Sequence, residues 1–202
     1  MSPRTILALA AAAALAGAGC GSSSSSSSGG STGSSSNAAN PNGPEKSPAG
    51  DIPDTQAYVR FAPPGAGYSV KVPEGWAQIM TGGAVSFTDK LNTVRLEAHP
   101  ATAAPTVATA RSAEVARLAK TQTGFKAGTV STVTRAGLQG VRITYLDQGP
   151  ADPVTGRSRV DAVERYLFFH RGTEAVLTLS GPKGADNVDP WRTITDSLRW
   201  TR

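Results

Sequence analysis

The chain has one cysteine, two histidines, 6% aromatic residues and no apolar run long enough to cross a bilayer. A single cysteine excludes an intramolecular disulfide, so the folded part must be held by a packed core. The histidines, His99 and His170, lie in no H-E-x-x-H and no close His/Cys spacing, so the ligand set of a zinc site is missing. Neither a G-x-S-x-G elbow nor a G-x-x-x-x-G-K-[ST] phosphate loop occurs. No catalytic residue, metal ligand or cofactor is assigned. Ser180, His170 and Asp161 offer the residue types of a hydrolytic triad, but no local pattern joins them. Asp186, Asn187 and Asp189 are too few ligands for a calcium loop, which also needs a closing glutamate. They read instead as a turn and helix cap.

The amino-terminal region is the most specific part. Arg4 precedes Ile6–Leu15, ten residues that are all Ile, Leu or Ala. That is the length of a signal-peptide core and half the roughly 20 residues of a spanning helix. Gly17-Ala18-Gly19-Cys20 follows. The segment resembles the lipobox of bacterial lipoproteins, with Ala18 and Gly19 in the two positions before the cysteine and Gly17 standing where a Leu is usual. Residues 1–19 are therefore expected to be a signal peptide and Cys20 the lipidation site, carrying a diacylglyceryl group that anchors the protein to the membrane. Two acyl chains hold a protein lastingly where one holds it marginally. Ala16-Gly17-Ala18 also fits the ordinary signal peptidase, which would leave a secreted soluble protein with a free thiol.

Gly21 and seven consecutive serines open a Gly/Ser/Asn/Pro tether over residues 20–54. Such chains reach roughly 5–6 Å × √n. Formal charge falls from +5 to +4 when Arg4 leaves with the signal. The Lys and Arg residues are scattered, and with export they make nucleic acid an unsuitable partner.

Residues 55–202 have the size of one domain. Period-two runs mark strands at Tyr68–Val72, Val85–Phe87 and Thr93–His99. The last of these places Val94, Leu96 and Ala98 on one face and Arg95, Glu97 and His99 on the other. From Val107 to Thr121 the period becomes helical, with Ala108, Val115, Leu118 and Ala119 as the apolar face and Ala113, Arg117 and Lys120 opposite. Strands resume at Thr129–Arg135, Val141–Leu146, Arg157–His170 and Ala175–Ser180. Asp189-Pro190 predicts a helix start, with Asp189 as the cap and Trp191, Ile194 and Leu198 as the buried stripe. Trp76, Trp191 and Trp200 read as core or core-edge anchors. The segment Asp147–Gly156 reads as a long hairpin loop and the expected variable contact surface. The order predicts an α+β domain, a mainly antiparallel sheet flanked by helices.

Several stretches carry a family resemblance. They are Gly67-Tyr68-Ser69-Val70-Lys71-Val72-Pro73-Glu74-Gly75-Trp76, Gly140-Val141-Arg142-Ile143-Thr144-Tyr145, Tyr166-Leu167-Phe168-Phe169 leading to Ala175–Leu179, and a closing helix from Trp191 to Trp200. Together they resemble the PsbP/Mog1-like domain, including exported bacterial relatives of the LpqN type. The resemblance implies an antiparallel sheet sandwiched by helices and a binding or assembly role without shared catalytic residues. The expected function is a membrane-tethered, non-catalytic module whose partner is an envelope protein or a small ligand. The alternative is an envelope hydrolase or transferase with a site that spacing does not reveal; a polar pocket holding His99 or His170 beside carboxylates would mark it.

Overall fold

Alternation of apolar and polar side chains builds most of the architecture. The computed structural model describes residues 49–89, 91–151 and 154–201, so the signal segment, Cys20 and the tether up to residue 48 lie outside the described residues. The strands are β1 Tyr58–Phe61, β2 Tyr68–Pro73, β3 Ala77–Thr81, β4 Ala84–Asp89 and β5 Asn92–Pro100. A helical segment follows: α1 Val107–Thr109, a π-helical stretch Ala110–Val115, and α2 Ala116–Thr121. Then come β6 Lys126–Arg135, β7 Leu138–Ala151, β8 Ser158–His170, β9 Thr173–Pro182, α3 Val188–Asp196 and β10 Arg199–Trp200. Seven strands form one antiparallel sheet in the order β3-β4-β5-β9-β8-β7-β6, and β1-β2-β10 form a smaller one. The α+β reading holds.

Three two-residue hairpins set the register of the large sheet. Gly82-Gly83, Ala136-Gly137 and Arg171-Gly172 join their strands with both residues at positive φ. That is the mirror-image turn whose twist matches paired strands.

Each face of the large sheet carries its own core. On one face Val85, Phe87, Leu96, Tyr166, Phe168 and Leu177 pack against Val70 and Val72 of β2 and against Trp191 and Ile194 of α3. Trp76 and Trp200 border this core. On the other, Val141, Ile143, Val163, Leu167 and Val176 pack against Ala110 and Leu118 of the helical segment. Full burial of one such large apolar side chain contributes about 1.5–3 kcal/mol.

Several expectations need correction. The closing helix stops at Asp196 rather than running to Trp200. Ser197 turns the chain: its Oγ donates to the Ile194 carbonyl at 2.6 Å and accepts from the Lys71 amide at 2.6 Å. Arg199 and Trp200 then pair with Ser69 and Tyr68, because the open edge of β2 offers backbone partners that another helical turn would lack. Asn187, not Asp189, is the N-cap, and Asp189 sits in the first turn, where its charge suits the helix dipole. Asn187 makes no side-chain cap because its amide is used elsewhere. It accepts from the Ile52 amide at 2.8 Å and donates to the Gly50 carbonyl at 3.0 Å and to Asn92 Oδ1 at 3.1 Å. Those bonds fasten Gly50–Ile52 to the domain, and Ile52, on the tether side of the boundary at 55, is buried.

The helix from 107 to 121 keeps Val115 and Leu118 of its expected apolar face but not Ala108 and Ala119. Ala108 and Ala119 are exposed, while Ala110 and Leu118 are buried. The π-helical stretch is the reason. A π turn widens the helix by one residue, so a 3.6-residue phase does not carry through it. Ala110, Glu114 and Leu118, spaced by four, all turn toward the sheet. Asp147 and its neighbours are likewise no loop: β7 continues to Ala151 and pairs Asp147 with Asp161. Among the described residues no helix is long and apolar enough to cross a membrane.

Candidate functional site

The helical segment covers only the apolar part of its sheet face. Beside it, the same face is polar. Thr93, Arg95, Glu97 and His99 of β5 stand directly across from Ser180, Thr178, Val176 and Glu174 of β9. Arg165 of β8 faces Thr178, and Tyr145 and Asp147 of β7 lie one strand further on. Helix and strands enclose two adjoining clefts. One, of about 360 Å³, is lined by Thr93, Arg95, Tyr145, Asp147 and Ser180 among others. The second, of about 270 Å³, is lined by His99, Glu114 and Glu174. Glu97, Arg117 and Arg165 line both. Beyond Glu174 and Glu114 a shallow groove of about 520 Å³ runs under the Pro100–Pro105 segment.

Arg165 is the centre. Its side chain is 7% exposed. Nη1 donates to Glu97 Oε2 at 3.1 Å and to Thr178 Oγ1 at 2.5 Å, and Nε donates to Glu114 Oε1 at 2.6 Å. Arg95 donates to Glu97 Oε1 at 3.2 Å. Arg117 binds Glu114 through Nε and Nη2 at 3.0 and 2.7 Å. The result is a chain of alternating charge, Arg95–Glu97–Arg165–Glu114–Arg117, joining two strands to the helix. Burial pushes the Glu97 carboxyl up, but Arg165 and Arg95 outweigh it and hold the group below its ordinary value. Burial is similarly overcome at Glu114 by Arg117 and Arg165. Both carboxylates are therefore fixed and ionised near neutral pH.

Other groups in the cleft are left open. Tyr145 is 5% exposed, and among the described residues its hydroxyl makes no hydrogen bond. Burial is the main cause of its phenol being pushed up to about 12. Glu174 makes no hydrogen bond or ion pair among the described residues. Its carboxyl is pushed up by burial and by the nearby charge of Glu114. Asp147 is pushed up by burial and by Asp161.

The two histidines are separated. His99 is in the cleft, with Nε2 4.0 Å from Glu97 Oε1. His170 stacks on Trp200 with ring centroids 5.2 Å apart, toward the other core. Asp161 is held by Arg159 at 2.7 Å, so Ser180, His170 and Asp161 do not assemble into a triad. No group of three or more His, Cys, Asp or Glu among the described residues is arranged to hold a metal. Arg165, Glu114, Arg117 and Tyr145 are the site residues that sequence reading missed. Arg165 carried a signal: it shares the phase of Val163 and Leu167, and a charge in an apolar row demands partners.

An antiparallel sheet with a helical segment on one face, and α3 with the small β1-β2-β10 sheet on the other, defines the class as α+β with a cleft between helix and sheet. The particular fold is PsbP/Mog1-like. The cyanobacterial PsbP of Synechocystis sp. PCC 6803 superposes with a TM-score of 0.50 at 15% identity, covering 75% of this chain and 98% of that one. The Ran-binding protein Mog1p of Saccharomyces cerevisiae gives 0.48 at 10% identity, with 73% and 97% covered. LpqN of Mycobacterium tuberculosis, a protein involved in cell envelope biogenesis, gives 0.44 at 15% identity, with 74% and 93% covered. The chain spans about half, 48%, of a Bacteroides thetaiotaomicron protein that it also matches at 0.48 and 15% identity, over 71% of this chain. No family model matches the sequence, and no curated protein does.

Proposed function

We propose that the protein is an exported lipoprotein, anchored through a diacylglyceryl group on Cys20, whose PsbP/Mog1-like domain is a non-catalytic binding or assembly module at the cell envelope. The observation that carries the binding reading is the Arg165 network. Glu97 and Glu114, the best-placed carboxylates of the cleft, are locked to arginines and kept ionised, whereas a general acid or base needs a pKa near its working pH. A rigid, charge-paired polar cleft is suited to recognition. The signal segment, the single cysteine and the Gly/Ser tether support delivery of that cleft to a membrane surface.

The anchor is tested by the intact mass of protein extracted from membranes, beside a Cys20→Ala variant. The expected mass is that of a chain beginning at Cys20 plus a diacylglyceryl group, with the variant released from the membrane. An unmodified chain beginning at Gly19 would instead make this a soluble secreted binding protein.

One observation favours a second reading, an envelope hydrolase or transferase: His99 stands directly across from Glu174, the carboxyl pushed toward neutrality. On that reading His99→Ala should lower turnover of the responsible substrate by 10²-fold or more, the scale of a lost acid–base group. Unchanged turnover in a His99→Ala, His170→Ala double variant disposes of it.

A further inference from the structure

The arginine chain of the cleft carries one positive charge in excess. Arg95, Arg165 and Arg117 alternate with Glu97 and Glu114, three cations to two anions. Two of the cations stand side by side. Arg165 Nε at 2.6 Å and Arg117 Nη2 at 2.7 Å both end on one oxygen, Glu114 Oε1. Like charges held this close repel, and a single shared oxygen offsets them only in part.

Donors are left over at the same place. The Arg165 side chain is 7% exposed; its Nε and Nη1 are bonded to Glu114, Glu97 and Thr178, but its Nη2 makes no hydrogen bond among the described residues. Arg117 spends Nε and Nη2 on Glu114, and its Nη1 makes none. The Tyr145 hydroxyl is the third free donor, on a buried residue and with no partner among the described residues. Phe125 packs on the Tyr145 ring with centroids 5.3 Å apart and holds it in place. The phenol feels the charges of both Arg165 and Arg117, which sets its oxygen near them. Neither Arg165 Nη2 nor the Tyr145 oxygen is sealed from solvent, and both residues line the cleft of about 360 Å³ together with Arg117.

The chemistry of these donors selects the ligand. Guanidinium groups donate and never accept, and their fork matches the oxygens of a carboxylate or phosphate. A neutral hydroxyl or amide would bring donors of its own that two arginines cannot accept. Asp147 is the carboxylate of this cleft with no arginine on it among the described residues. Burial and Asp161 push it toward the neutral form, which lowers its opposition to an anion. Glu174 opens on the adjoining cleft.

We propose that this cleft binds an oxyanion group, the carboxylate or phosphate of a small ligand, held by Arg165 Nη2, Arg117 Nη1 and the Tyr145 hydroxyl. This rests on the reading of the domain as a binding module and names the chemistry of its ligand.

The test is an NMR titration of the mature, detergent-solubilised protein with sodium acetate and with inorganic phosphate at fixed ionic strength. It is read at the Nε–H signals of Arg165 and Arg117, with sodium chloride as the control. At least one of the two oxyanions should give a saturable shift with Kd below about 10 mM, and chloride should not saturate. Saturation by acetate alone assigns a carboxylate ligand, and by phosphate alone a phosphate ester. Saturation by both supports the shared oxyanion chemistry. Tyr145→Phe and Arg117→Gln should each weaken the responding anion about tenfold, the scale of one lost charge-assisted hydrogen bond. Tyr145→Phe should meanwhile leave the thermal midpoint unchanged or raise it, because it deletes a buried hydroxyl with no protein acceptor. No saturation by either oxyanion, an equal response to chloride, or unchanged affinity in either variant overturns the proposal. A Tyr145→Phe variant that loses stability instead of affinity overturns it as well. Failure of the titration removes the oxyanion site alone; the binding-module reading falls only if cross-linking in intact cells also finds no partner for the domain.

Discussion

Arg165→Met is expected to destabilise the domain by about 3–5 kcal/mol at pH 7, the range for removing one partner of a buried ion pair. Glu97 and Glu114 are only 15% and 19% exposed at their side chains. Without Arg165 they lose the bonds that offset their burial. Each retains one flanking arginine, but Arg95 and Arg117 are themselves 38% and 49% exposed and bind from the cleft side. The pH dependence separates charge from packing. Both carboxyls are held below the 4.5 of an ordinary glutamate, so their contribution is complete above about that pH and is lost as pH falls through their lowered values. The variant has little of this contribution to lose. The stability difference, read from urea unfolding, should therefore be largest at pH 7 and clearly smaller at pH 3. An equal difference at both would show that Arg165 acts through its packed stem alone.

Gly140→Ala should cost about 3 kcal/mol, the upper end of the usual overpacking penalty. Gly140 lies inside β7 directly across from Phe168. A Cβ built there would stand 2.5 Å from the Leu167 carbonyl oxygen and 2.6 Å from Cδ1 of Phe168. The carbonyl belongs to the β7–β8 ladder and cannot retreat without loss of register. The Phe168 ring is 1% exposed and packed in the core. A glycine in a strand interior is ordinarily unfavourable, and here the close approach of a ring over its bare Cα explains it. Thermal unfolding should show a drop of several degrees, and Gly140→Ala combined with Phe168→Leu should recover part of it. If Gly140→Ala alone leaves the midpoint unchanged, the close approach is not a constraint.

Most of the sheet was legible because its strands have one face on a core. Val94, Leu96 and Ala98 alternate with Arg95, Glu97 and His99, and that period survives in the structure as the apolar and cleft faces of β5. The short or exposed strands were not legible. Every residue of β3 is exposed, so Ala77–Thr81 shows no alternation to read. β10 is two residues long and exists only because β2 offers an edge. At the site, sequence put Arg95, Glu97 and His99 on one polar face but could not supply what faces them. Arg165 lies 68 residues from Glu97 in the chain and meets it only through the β5–β9–β8 order. Glu114 and Arg117 were hidden for a local reason: a fixed 3.6 period assigned Arg117 to the side away from the sheet, and the π-helical stretch changes that phase.

The π-helical stretch has an evolutionary consequence. It holds one residue more than an α-helix of the same rise would need, and that surplus residue aims Glu114 and Arg117 at the cleft. Loss of a single codon between 110 and 115 would let the helix close into an ordinary ladder. Ala110 and Leu118 would then stand seven residues apart and still share a face, while the side chains between them would be re-aimed about the helix axis. The sheet, its hairpins and the β2–α3 core would be untouched. One insertion or deletion can thus re-aim the polar side chains over the cleft while keeping the fold, so the cleft is free to diverge across this architecture faster than its core sequence.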